Sequence, residues 1–176
     1  MIMKTLTATA VAMFAAVPAI AGNVAPPVIA PAPTMPAPAP VSDWTGFYAG
    51  VNGAVGIVNP GATTYWGGGV HAGYLYDSGD FVVGGELSYN YVAAPANDHL
   101  FGADLILGYD AGMVMPHVTL GGSYLVNPNL FGVSAGAGLS VKATENVILT
   151  GRYRYTYEPA GGNSLHQGIA ALSFRF

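Results

Sequence analysis

From Asp43 to the end of the chain, apolar and polar residues alternate with a period of two, the pattern of strands that present two different faces. Eight such segments can be delimited: Thr45 to Ile57, Thr64 to Tyr76, Phe81 to Val92, His99 to Tyr109, Val114 to Leu125, Leu130 to Ala143, Val147 to Glu158, and Leu165 to Phe176. The seventh shows the logic. Leu149, Tyr153, Tyr155 and Tyr157 share one parity, and Thr150, Arg152, Arg154, Thr156 and Glu158 share the other. The third sets Phe81, Val83, Leu87, Tyr89 and Tyr91 against Glu86, Ser88 and Asn90, and the sixth sets Phe131, Val133, Leu139 and Val141 against Ser134, Ser140 and Lys142. The strand charges Glu86, Asp104, Lys142, Arg152, Arg154, Glu158 and Arg175 all fall on the polar parity. Glycines are frequent on that same parity, among them Gly50, Gly73, Gly102, Gly121, Gly136 and Gly138, as expected where side chains must share a narrow interior.

Composition says which solvent the apolar face meets. Charged residues make up 8% of the 176, against roughly 25% in soluble domains, while 52% are hydrophobic. A mean hydropathy of +0.42 excludes disorder. After residue 21 no run of about 18 to 20 apolar residues could form a spanning helix, so the spanning structure left is a closed β-barrel. Each segment supplies the roughly 9 to 11 tilted residues that a crossing needs, and eight is the smallest even strand count of single-chain outer-membrane barrels. The fold expected is all-β, an eight-stranded antiparallel up-and-down transmembrane barrel. A soluble barrel would put its charges outside, and too few charges are present to cover that surface. Pro116 sits near the start of its strand, a position that tolerates the loss of one ladder hydrogen bond.

The connections come in two kinds. Asp77 to Asp80, Asp110 to Met113 and Thr144 to Asn146 lack proline; those around Pro60, Pro95, Pro128 and Pro159 contain it. With both termini in the periplasm, the first set are periplasmic turns and the second are outer loops. Aromatics then gather at two rims: Trp44, Phe47, Tyr74, Tyr76, Phe81, Tyr109, Phe174 and Phe176 at the inner one, and Trp66, Tyr89, Tyr91, Phe101, Tyr124, Phe131, Tyr155 and Tyr157 at the outer.

Ahead of the barrel, Met1 to Ala21 reads as a secretory signal peptide, with Lys4, an apolar stretch and an Ala19-Ile20-Ala21 cleavage site. Residues 22–42 form a Pro/Ala-rich periplasmic arm in extended polyproline II geometry, and 43–176 form the barrel. The absence of cysteine excludes a lipoprotein anchor, disulfides and thiol chemistry. Five Lys and Arg against nine Asp and Glu leave no basic patch for nucleic acid.

The chain resembles a known family, the small opacity-type or porin-family β-barrel surface antigens of Gram-negative outer membranes. The residues that carry the resemblance are Asp43-Trp44-Thr45-Gly46-Phe47-Tyr48-Ala49-Gly50, His71-Ala72-Gly73-Tyr74, Phe81-Val82-Val83-Gly84-Gly85-Glu86, Pro116 to Gly122, Arg152-Tyr153-Arg154-Tyr155 and the terminal Ser173-Phe174-Arg175-Phe176. The resemblance implies a Gram-negative outer-membrane location. It also implies that Phe174 and Phe176 form a signal read by the β-barrel assembly machinery, and that lipid and lipopolysaccharide surround the barrel. The outer loops are shorter and the Pro/Ala arm longer than in many such proteins.

Three functions are weighed. In a structural barrel, Glu86, Asp104, Arg152 and Arg154 pair across the lumen and block it, with Tyr48, Asn52, Tyr65 and His71 adding bulk. In a small pore, the same charges line a wet path and set weak ion selectivity. In a lipid-modifying enzyme, Ser164, His166 and Glu158 at the last outer loop would act together, but they do not reproduce the His-x-Ser order associated with barrel deacylases. No cofactor is expected. His71, His99, His117 and His166 lie on four strands without metal-site spacing, and Gly67-Gly68-Gly69 and Gly136-Ala137-Gly138 lead into no helix and no phosphate-binding lysine.

Overall fold

The computed structural model describes residues 43–93, 97–127 and 129–176. The signal peptide, the Pro/Ala arm and the loop prolines Pro95 and Pro128 lie outside the described residues. Eight strands follow one another: β1 (Gly46–Asn59), β2 (Thr63–Asp77), β3 (Phe81–Val92), β4 (Asp98–Tyr109), β5 (Val114–Leu125), β6 (Leu130–Lys142), β7 (Val147–Glu158) and β8 (Asn163–Arg175). Each pairs antiparallel with the next, and β1 closes on β8 through a register running from Tyr48↔Arg175 to Asn59↔Ser164. Closure leaves no edge strand with unpaired backbone groups, the condition for a sheet to lie in hydrocarbon. Strands of 12 to 15 residues, rising about 3.3 Å per residue and tilted by roughly 40°, span about 30 Å or more along the barrel axis.

Strand bounds differ from the sequence reading by one or two residues at several ends. The largest consequence is at β4, which starts at Asp98 and thereby adds another acid to the inward face. β1 starts after Thr45, whose hydroxyl accepts a hydrogen bond from Asp77 N at 3.1 Å at the strand entrance.

Alternation is carried through every strand. Outward positions leave Val51, Leu87, Leu105, Leu120, Val133, Leu149 and Leu172 exposed, whereas Glu86, Asp104, Lys142, Arg152 and Arg154 are buried inward. A chain that exposes this much aliphatic surface and buries its charges has the polarity of a membrane barrel, the inverse of a soluble one.

The start of β1 and the end of β8 lie at one end of the barrel, here the terminal end, with the three turns 78–80, 110–113 and 143–146. The four connections at the other, loop end are three to five residues long. In the turn after β4, Gly112 adopts a φ of 82°, a left-handed conformation suited to glycine, and its amide donates to Asp110 Oδ1 at 2.7 Å. That turn positions the group that closes the terminal end.

Candidate functional site in the lumen

The interior is built in three layers, starting at the terminal end. The first is apolar. Trp44, Tyr48, Leu75, Val82, Ile106, Met115 and Ile148 pack together, and Trp44 is 0% exposed. Trp44 therefore is not part of the inner aromatic rim, where the alternation pattern had put it. Just before β1 its backbone N donates to Asp77 Oδ2 at 3.0 Å, and its indole Nε1 donates to Asp110 Oδ1 at 3.1 Å and Gly112 O at 3.2 Å. Lys142 Nζ lies 4.3 Å from the ring centroid and donates to Asp43 O at 2.8 Å, and an Arg175 guanidinium N–H also donates to that carbonyl. Trp44 is thus a stopper, its indole bonded to the turn after β4, its backbone N to Asp77 at the end of β2, and its ring against Lys142 at the end of β6. Outside the strands, hydrogen bonds from Thr45 hold the Asp43 carboxyl below its usual range, helped by the nearby charges of Arg175 and Lys142. The remaining rim aromatics do face outward; at the terminal end Phe47 packs on Tyr74 and stacks against Phe176.

The second layer holds the charges. Glu86 on β3 and Asp104 on β4 are direct cross-strand neighbours. Arg152 and Arg154 stand two residues apart on β7, which lies four strands from β3 in a ring of eight, across the bore. Arg152 Nη1 meets Glu86 Oε1 at 2.8 Å, and Arg154 Nη2 meets Asp104 Oδ2. Tyr48 from β1 donates its hydroxyl to Glu86 Oε2 at 2.8 Å, and Ser134 from β6 donates to Asp104 Oδ1 at 3.3 Å. Two acids that would repel each other along one wall are thereby matched to two arginines from the opposite wall. The glycine pattern makes this possible. A Cβ at Gly121 would fall on Asp104 Oδ1, one at Gly73 would lie 2.6 Å from Tyr48 Oη, and one at Gly102 would lie 2.5 Å from Ser88 Oγ and 3.6 Å from Arg154 Nη1. Nearer the loop end, Gly56 on the same inward parity makes room for the Tyr65 ring, whose Oη would lie 2.5 Å from an added Cβ.

His71 completes the layer by sharing a hydrogen bond of 2.7 Å with Ser173 Oγ. A cavity of about 50 Å³ remains, bordered by Asn52, His71, His117, Arg152 and Ser173 among others. Arg152 Nε, Arg154 Nε, His117 Nε2 and Asn52 Oδ1 are buried without a protein partner there, and buried groups of this kind are ordinarily met by water.

The third layer is a cup of about 270 Å³ at the loop end. It includes Tyr65, Asp98, Leu100, Leu125, Glu158 and Leu165, all on the inward parity.

The proposed catalytic set does not converge. Ser164 and His166 lie on the outward parity of β8, Glu158 lies on the inward parity of β7, and His166 Nδ1 shares a 2.6 Å hydrogen bond with the Tyr153 hydroxyl. His99 Nδ1 shares a 2.8 Å hydrogen bond with the Tyr89 hydroxyl in the same manner, and its ring stacks against that of Tyr89. Among the described residues no group of His and acids has metal-site geometry.

The chain is 32% identical over 186 residues to the 25 kDa outer-membrane immunogenic protein of Brucella canis, a match spanning 88% of this chain and 85% of that protein. The chain belongs to this outer-membrane protein family. The same-named protein of Brucella ovis is also 32% identical, over 88% of this chain and 90% of its own. No family model matches. Membership places the chain in a Gram-negative outer membrane, as the resemblance implied. Solved structures agree on the fold. Ail of Yersinia pestis superposes with a TM-score of 0.58 at 14% identity, covering 75% of this chain and 99% of its own. Neisserial surface protein A does so with a TM-score of 0.51 at 19% identity, covering 75% and 98%.

Proposed function

We propose that this protein is a non-conducting structural barrel of the outer membrane, with both termini in the periplasm and its surface contacts confined to the short loop-end connections. The observation that carries this reading is the pair of arginine–carboxylate bridges thrown across the bore between β7 and the β3–β4 wall. An ion entering the lumen would have to separate buried opposite charges, and beyond them it would meet the Trp44 stopper. The connections of three to five residues are too short to build a separate recognition domain. The relatives are outer-membrane immunogenic proteins, which supports exposure of the loop end at the cell surface. The lipid face contacts membrane lipid and lipopolysaccharide acyl chains. Phe174, exposed on β8, and Phe176, whose amide donates to Phe47 O at 3.0 Å beside the closing seam, suit a C-terminal strand read by the assembly machinery.

Planar-bilayer recording tests the closed lumen. The wild type should show no stable conductance, and Trp44→Ala combined with Arg152→Ala should create it. Steady, charge-selective conductance from the wild type would replace this reading with the pore. Single cysteines at Gly161 and Ala111 test sidedness: an impermeant maleimide should label only the first in intact cells.

A further inference from the structure

The loop-end cup has properties that neither membrane insertion nor a closed lumen requires. Its wall is made of Val58, Val92, Leu100, Leu125, Leu130 and Leu165, all pointing inward at a mouth that opens to water. Between this cup and the apolar layer at the terminal end, the buried inward positions are mostly polar or charged, among them His71, Glu86, Asp104, Thr119, Arg152 and Arg154. Aliphatic side chains lining a hydrated cup forgo the stabilisation that burial of about 25 cal/mol per Å² would bring, and an apolar occupant recovers it. The electrostatics are one-sided. Asp98 and Glu158 border the cup, no Lys or Arg does, and neither acid has an ion-pair partner among the described residues. Asp98 is 4% exposed, and backbone amides hold both of its carboxylate oxygens without neutralising the charge: His99 N donates to Oδ1 at 2.7 Å, and Asn127 N donates to Oδ1 at 3.1 Å and to Oδ2 at 3.2 Å. At the floor Tyr65, 3% exposed, holds a hydroxyl that makes no hydrogen bond of ordinary geometry although Gln167 is nearby.

We infer that this cup binds a small organic ammonium ion with an apolar body. The leucines and valines take the body, and Asp98 and Glu158 favour the positive charge over a neutral or anionic head. The Tyr65 hydroxyl offers the remaining polar contact. A volume of about 270 Å³ exceeds the roughly 150 Å³ that holds a benzene ring and falls just below the usual range of drug-sized pockets, so one ring with a short amine tail fits. The closed lumen beneath is independent of this site, since the charge layer stands whether or not the cup is filled.

Phenethylammonium is the probe, titrated into the full barrel in phosphatidylcholine nanodiscs and followed by amide NMR shifts. Saturable shifts are expected at Tyr65, Leu100 and Leu165. The isosteric neutral 2-phenylethanol should bind about fivefold more weakly and phenylacetate not measurably. Added salt should narrow the difference. Glu158→Gln should bring ammonium and alcohol to within about twofold. Leu125→Trp, which fills the cup, should abolish the shifts while the heat-modifiable gel band shows an intact barrel, with Leu130→Phe taking its place if that band is lost. Equal shifts from phenylacetate, or no saturable shift from phenethylammonium at millimolar concentration, would overturn the assignment.

Discussion

Replacing Glu86 by Gln keeps the shape of the side chain and removes its charge, leaving Arg152 with a neutral partner in a site where each of the two residues is 8% exposed. Breaking a buried pair from one side costs about 3–5 kcal/mol, because the remaining charge stays desolvated. Two features set the value near the lower end. Asp104 is the cross-strand neighbour of Glu86 and can partly compensate Arg152, and the adjoining small cavity admits water. The Tyr48 hydroxyl also exchanges a carboxylate acceptor for an amide. A loss of about 3 kcal/mol is therefore expected for Glu86→Gln and for Arg152→Met. The double variant leaves no unpaired charge in that bridge, so it should fall well short of the sum, with a coupling of about 2 kcal/mol. Urea-driven reversible folding in lipid vesicles, read by tryptophan fluorescence and by the shift between folded and unfolded gel bands, gives all three numbers. Single variants each costing under about 1 kcal/mol with an additive double would mean that lumen water screens these charges and that the bridges do not lock the bore.

The same assay reaches the other faces. Leu87, 68% exposed on the outward face, changed to Arg should destabilise by about 2–4 kcal/mol if that face meets hydrocarbon, whereas a water-facing position would barely respond. Gly50→Val should cost more than about 3 kcal/mol, since even its Cβ would press on Leu172 O and lie 2.7 Å from Ser173 Cα; Gly53→Val, with nothing within 4 Å of the added atom, should cost under about 0.5 kcal/mol. Trp44→Ala should lose about 3–5 kcal/mol and raise dye entry from the terminal end, and an unchanged stability would remove the indole from the packed interior.

The lumen and lipid faces were legible because a strand in a barrel has only two environments, and a charge can occupy only one of them. On β7 the tyrosines at 153, 155 and 157 and the arginines at 152 and 154 assign every residue between them. Trp44 shows where that logic stops. Girdle and stopper both call for an aromatic next to a strand end, and what decides between them is Asp77 and Asp110, 33 and 66 residues away: the first holds the Trp44 backbone N and the second draws the indole inward. Which acid meets which arginine is likewise a matter of strand count and cross-barrel distance, which local alternation does not encode. The cup did leave a trace in the chain. Leu100, Leu125, Leu130 and Leu165 break the polar character of the inward parity, and all do so beside loop-end connections. Four scattered leucines become one wall only when the barrel closes.

In this barrel apolar side chains face lipid while every strand charge faces the interior. The chain contains no cysteine, so single cysteines carrying a nitroxide can be placed in turn from Phe81 to Val92 along β3 in reconstituted bilayers. Oxygen accessibility should alternate with a period of two, with maxima at 81, 83, 85, 87, 89 and 91 and minima at Glu86, Ser88 and Asn90. Maxima shifted by one residue, or a profile without alternation, would contradict this arrangement.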